Sequence, residues 1–170
     1  MPTAAELLWV YSGGAANTDP NASLGGAIST AGAGVIDDNV LHDLFDLVTG
    51  AERLAGDVEY RGIYVKNAGA DTAIGCVIWV STDSTAAFSE LDIALGDEAV
   101  NVTMETIANE QTAPSGPVFT HPSSEGAGLA IGDIPAGQMK GVWVRRTVTA
   151  GATAQASDTA QLSVAFDSAS

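Results

Sequence analysis

The stretch Asp57-Val-Glu-Tyr-Arg-Gly-Ile-Tyr-Val-Lys-Asn67, followed by Ala-Gly-Ala-Asp-Thr and then Ala73-Ile-Gly-Cys-Val-Ile-Trp-Val80, decides the fold class. From Val58 to Lys66 the side chains alternate, with Tyr60 and Tyr64 on one side and Arg61, Ile63 and Val65 on the other. That is the two-residue period of a strand. Asn67 to Asp71 is rich in turn formers, and alternation resumes from Ala73, so the whole segment is predicted to be a β-hairpin. In its second arm Cys76, Ile78 and Val80 share one face, and Val77 and Trp79 share the other. The first face is expected to line a core, which leaves Trp79 for the outer surface or a neighbouring subunit.

Working outward, Met139 to Thr149 alternates Val142, Val144 and Arg146 against Trp143, Arg145 and Thr147. Asp133-Ile-Pro-Ala-Gly137 before it is a turn, Pro135 fixing φ and Gly137 admitting positive φ. Gly151 to Ser157 reverses the chain, and Thr159 to Phe166 alternates again, completing a predicted meander. Leu7 to Tyr11 is a compact apolar strand. Ser12 to Gly34, made of Gly, Ala, Asn and Ser, reads as an arm or surface loop with at most a short strand near Ala27 to Ser29. Leu44 to Thr49 reads as a strand running into a turn at Gly50, with a helical turn over Asp37 to Val48 as the alternative, capped by Asp37 or Asp38. Phe88 to Leu95 and Ala99 to Met104 are weaker strands, and Ala108 to Gly128 is a long loop. Seven or eight short strands with turns between them predict an all-β, two-sheet β-sandwich, immunoglobulin-like or jelly-roll. Residues 1–36 form its N-terminal strand, extended arm and Gly/Ala-rich loop, and residues 37–170 the sandwich, as a single domain.

Composition narrows the function. Six Lys and Arg against 21 Asp and Glu give a net charge of −15, a field that repels phosphate, so neither nucleic acid nor an anionic membrane is an expected partner. Charged residues are 16% of the chain and hydrophobic ones 46%, which excludes disorder by charge and low hydropathy. One cysteine, Cys76, rules out an internal disulfide or a zinc site built on paired thiolates, and mid-strand it is expected to be a buried small hydrophobe. Met1 to Asn17 has no basic residue and only Leu7 to Val10 as an apolar run, so neither a signal peptide nor a membrane span is expected there, and folding in a cytoplasm is. The Asn21 and Asn101 triplets are read as chance glycosylation matches.

Chemistry-bearing residues are few. His42 lies among Asp38, Asp43 and Asp46, which suits either a metal cluster or, more plainly, a solvated acidic face. His121 is expected to be exposed in the long loop. Asp92, Asp97 and Glu98, or Asp37 and Asp38, offer hard oxygen ligands for calcium, but no spacing matches a twelve-residue binding loop and solvated carboxylates are the plainer reading. Ser12-Gly-Gly-Ala-Ala lacks the Gly-Lys-Ser/Thr ending of a phosphate cradle. No catalytic residue, metal or cofactor is expected. Arg145 and Arg146 beside Trp143 stand out in an acidic chain. They are read either as an internal salt bridge or as an outward arginine anchoring an interface with Trp143.

Asp57 to Asn67 resembles a strand found in structural proteins of tailed bacteriophages, written "tEYRciYvkN" and followed by a hairpin ending in "v.vWi". Thr106-Ile-Ala-Asn-Glu-Gln-Thr-Ala-Pro114, Ile131-Gly-Asp-Ile-Pro-Ala-Gly-Gln138 and Val142-Trp-Val-Arg-Arg-Thr-Val148 are similar to the same group, so that the likeness covers roughly residues 45–166. Gly62 departs from it, standing where a larger residue or Cys is expected. The resemblance implies a non-enzymatic virion protein on the capsid surface, a decoration or cement protein whose partners are the major capsid protein and its own copies, a trimer being favoured. A tail or baseplate protein, or a carbohydrate- or receptor-binding module, is the alternative. The interface residues expected on this reading are Trp79, Trp143, Arg145, Arg146, Glu6 and Leu7, with an arm such as Met1 to Glu6 lying across a neighbour.

Overall fold

In the computed structural model, which describes residues 6–37, 40–154 and 158–167, the described residues form seven strands, one short α-helix and three single-turn 3-10 helices. The strands are β1 (Leu7–Tyr11), β2 (Asp57–Asn67), β3 (Ala73–Thr82), β4 (Ser89–Leu95), β5 (Leu129–Ile134), β6 (Met139–Val148) and β7 (Gln161–Asp167), and the helix is α1 (Gly50–Ala55). They build a two-sheet β-sandwich, one antiparallel sheet ordered β1-β2-β6-β4 and the other β5-β3-β7. Between the sheets lies a core that includes Ile63, Val65, Cys76, Ile78, Val80, Ile93, Ile134, Val142 and Val144. The faces expected of Cys76, Ile78 and Val80 are the faces observed.

The expected hairpin is not one. β2 belongs to the four-stranded sheet and β3 to the other, so residues 68–72 arch from layer to layer. The predicted meander fails in the same way, since β5, β6 and β7 alternate between sheets. Alternation cannot distinguish the two arrangements, because strands lying side by side and strands stacked face to face both send every second side chain inward. Asn67 holds the arches. It is fully buried, its Nδ2 donates to the carbonyls of Asp71 and Ile134 at 2.8 Å, and its Oδ1 accepts from Gly69 N–H at 2.9 Å. Its own N–H donates to Gln138 O and its carbonyl accepts from Gly137 N–H, both at 2.9 Å, which ties the β2–β3 arch to the β5–β6 turn. Gly137 has φ +74°, as the turn required.

Ser12 to Gly34 is neither arm nor free loop. Together with residues 97–119 it lies on the outer face of the four-stranded sheet and closes a second core around Tyr64, Ala94, Met104, Ile107 and Trp143. Backbone does the fastening: Ser12 Oγ donates to Gly62 O (2.6 Å) and accepts from Gly25 N–H (2.9 Å), and Gly62 N–H donates to Ser23 O (2.7 Å). A β-carbon on Gly62 would stand 2.9 Å from Gly25 N, which is why glycine occupies the position where the phage pattern has a larger residue. Gly25, at φ +86°, would put a β-carbon 1.9 Å from Glu105 O. Small residues are present so that loop backbone can lie flat on the sheet.

Residues 40–49 form neither the expected strand nor the helix over Asp37 to Val48; Asp38 lies outside the described residues. The helix lies beyond that stretch, capped by Thr49, whose Oγ1 accepts from Glu52 N–H while Glu52 Oε2 accepts from Thr49 N–H, a reciprocal capping box. Leu44 and Phe45 still reach the inter-sheet core. Phe88 to Leu95 is borne out by β4. Ala27 to Ser29 and Ala99 to Met104 are irregular, and β5 is a strand that the periodicity did not announce.

Candidate functional site

Three arginines, Arg61, Arg145 and Arg146, lie toward one end of the four-stranded sheet, and Lys66 and Lys140 toward the other. Register places Glu59 opposite Arg146 and Tyr60 opposite Arg145. On the inward side, Arg146 donates from Nε to Glu59 Oε2 at 2.7 Å and forms a second, closer bond to the same oxygen from Nη2. Its other contacts are Asp46 O at 2.8 Å and the Asp46 carboxylate at 3.4 Å. Arg61, with a side chain 0% exposed, donates to Leu44 O (3.1 Å), Asn21 Oδ1 (3.0 Å) and Glu110 Oε2 (2.6 Å). Both guanidinium groups lie against the Phe45 ring, at 5.3 Å for Arg61 and 4.8 Å for Arg146. On the outward side Arg145 pairs with Asp92 at 2.5 Å and sits 5.0 Å from the Phe119 ring, which meets Tyr60 edge-on.

The internal salt bridge is thus the observed reading of both arginines, and they supply positive charge inside the molecule. Trp143 is fully buried in the second core, so it offers no surface to a partner. Leu7 is 7% exposed, a β1 residue opposite Asn67, and the Glu6 carbonyl accepts from Ala68 N–H; both belong to the sandwich and not to an arm. Residues 1–5 lie outside the described residues. Of the six expected interface residues, Trp79 keeps a half-exposed place on an outer sheet face.

Among the described residues two groups of side chains come close enough to suggest a metal: the carboxylates of Asp46, Glu59 and Glu110, and those of Glu90 and Asp92 with the His121 imidazole. Arginine already occupies both. Arg146 and Arg61 bind the first set and Arg145 binds Asp92 in the second, each providing the charge that an ion would bring. His121 is not the exposed loop residue expected, because its Nδ1 lies 2.7 Å from Leu91 O and its Nε2 3.7 Å from the Asp83 carboxylate. His42 is exposed, with φ +61°, at the wall of a groove of about 720 Å³ along β1. Tyr11 in the same wall donates its hydroxyl to Asp43 O, and burial, with the charges of Asp43 and Asp19, raises its pKa to about 12. Burial likewise raises the Cys76 thiol. Sequence reasoning missed Asn21, Phe45, Glu110 and Phe119. The signal available was that Glu59, Arg61 and Arg146 fall at inward positions of alternating strands, where charges need partners.

Burial drives the Glu59 carboxyl up to about 7 against the pull of Arg146. A raised carboxyl binds its proton more tightly in the folded chain than in the unfolded one, so its contribution is fully present below about 4.5 and fades as pH rises through 7. Glu110 and Asp158 go the other way: burial alone would raise them, but bonds from Arg61 and Gln111, and from Ser84, Ser89, Ala86 and Thr85, hold them low. Their contribution is lost in acid. Melting temperature should therefore rise from pH 8 to about pH 5 and fall below about pH 4, and Glu59→Gln should flatten the upper limb. A melting temperature that climbs steadily from pH 5 to 8 would contradict this assignment.

Among the described residues no helix is long and apolar enough to cross a membrane. No family model, no curated protein and no solved structure matches the chain. Fold and surfaces together define an all-β sandwich with one sheet covered on both sides, Arg61, Arg145 and Arg146 paired with its own carboxylates and an acidic exterior.

Proposed function

We propose that the chain is a non-enzymatic structural protein of a tailed-phage virion, seated on the capsid exterior as a decoration protein that braces the shell. The observation that carries the reading is the use of reactive groups as fasteners: Arg61, Arg145, Arg146, Glu59, Asp92 and His121 are all bonded within the fold. Rigidity and an acidic coat suit a part that holds neighbours together and repels released DNA. The similarity of residues 57–67, 106–114, 131–138 and 142–148 to phage structural proteins supports the same reading.

The test is to mix the purified chain with empty capsids assembled without it. Co-sedimentation in a fixed, saturable ratio to the capsid subunit is expected, together with a solution mass of three chains of 17.2 kDa. Saturation at a few copies per particle would move the protein to the tail or baseplate, and no binding would end the virion reading.

A further inference from the structure

We infer that the outer face of the three-stranded sheet, centred on Trp79, docks a protein surface that is apolar in the middle and ringed by Lys and Arg. This rests on the structural reading above and names the side of the molecule that meets the shell.

The two sheets are treated differently by their own chain. Residues 12–30 and 97–119 cover the outer face of β1-β2-β6-β4, whereas the outward Val77 and Trp79 of β3 stay half-exposed and join neither apolar core. Register places Ala130 of β5 and Ala165 of β7 on either side of Val77, and Ser163 beside Trp79. Ser81 continues the row, its hydroxyl accepting from Ser163 at 2.7 Å. The result is one large indole on a flat bed of small, uncharged side chains, which lets a partner approach closely around an aromatic anchor. Neither edge strand of this sheet contains the Lys or Pro that commonly blunts an exposed edge.

Charge selects the occupant. No Lys or Arg lies between Lys66 and Lys140 or after Arg146, so none of β3, β4, β5 and β7 contributes a cation. The exposed acids Asp83, Asp133, Asp158 and Asp167 belong to this sheet or to the segments that flank it. A second copy in the same orientation would set acid against acid, and a phosphate-bearing surface would be repelled likewise. A protein surface with a basic rim complements both the neutral centre and the acidic border.

Co-sedimentation of the full chain with empty capsids tests this, using Trp79→Glu, Ala130→Arg at an exposed position, and Thr103→Arg in the layer over the other sheet as control. Both face variants should bind at least about tenfold more weakly while melting like the parent, and the control should bind normally. Parent binding should weaken as NaCl goes from about 50 to about 500 mM. Parent-like binding by Ala130→Arg, or salt-independent binding, overturns the inference and leaves the virion reading standing. A fall in the chain's own solution mass on Trp79→Glu reassigns the face to self-contact and also overturns it. Failure of the parent to bind capsids overturns both.

Discussion

Arg146→Ala should lower the unfolding free energy by about 3–5 kcal/mol at pH 8, the cost of leaving a buried charge without its partner. Glu59 is 2% exposed and two bonds from Arg146 end on one of its oxygens. Removing the guanidinium strands that carboxylate and also orphans Asp46 O. Glu59 has a way out: burial already raises its pKa to about 7, so without Arg146 it takes up a proton. The loss should therefore shrink towards pH 5, whereas that of an exposed salt bridge, whose carboxylate stays ionised across this range, would stay flat. Glu59→Leu with Arg146→Met should recover most of the stability, since apolar residues of similar volume commonly replace buried ion pairs without loss. Urea midpoints at both pH values decide it. A loss below about 1 kcal/mol, or one that is the same at pH 8 and pH 5, would mean that the pair is solvated.

Trp143→Ala should cost about 3–5 kcal/mol, whereas Trp143→Phe should stay within about 1 kcal/mol of the parent. The ring fills the space between the sheet and its loop cover, where Tyr64, Met104 and Ile107 close around it. Its Nε1 is buried without a hydrogen-bond partner, so the indole N–H opposes folding while the ring favours it. Phenylalanine removes the unpaired donor and part of the volume together, and the two effects offset. The alanine variant should also loosen residues 12–30 and 97–119 before the sandwich opens, seen as faster amide exchange at Gly25 and Gly26. Equal losses in the two variants would refute this account of the donor.

Much of the fold was legible because strand faces are set by residue order. Ile78 and Trp79 were assigned to opposite faces correctly, as were Val142 and Trp143. What alternation left out was which sheet each strand joins. Asn67 held part of that information, since an asparagine beginning a five-residue connection can bond several backbone groups at once, but its bonds to Ile134 and Gln138 depend on residues distant in sequence. Thr49 and Glu52 have the spacing of a capping box, but the apolar run of Val40 to Val48 before them reads as a strand or an earlier helix and masks it. The glycines of the 12–34 segment suggested a free loop. Their purpose, close approach of Gly25 to Glu105 and of Gly62 to Gly25, depends on the tertiary fold. In sequence Trp143 reads as an anchor because its cover comes from two segments without recognisable periodicity. Arg145 and Arg146 point to opposite faces, as expected of consecutive strand residues, and each finds its carboxylate on a neighbouring strand.

The layer-to-layer arches also govern when the protein can form. β2 waits for β6 to emerge, ending at Val148, and β3 waits for β7, ending at Asp167. A nascent chain leaving the ribosome can zip only β1 onto β2 until β5, ending at Ile134, emerges to pair with β3. Such distant pairings slow folding towards milliseconds or seconds, and neither layer is whole before β6 and β7 have been made.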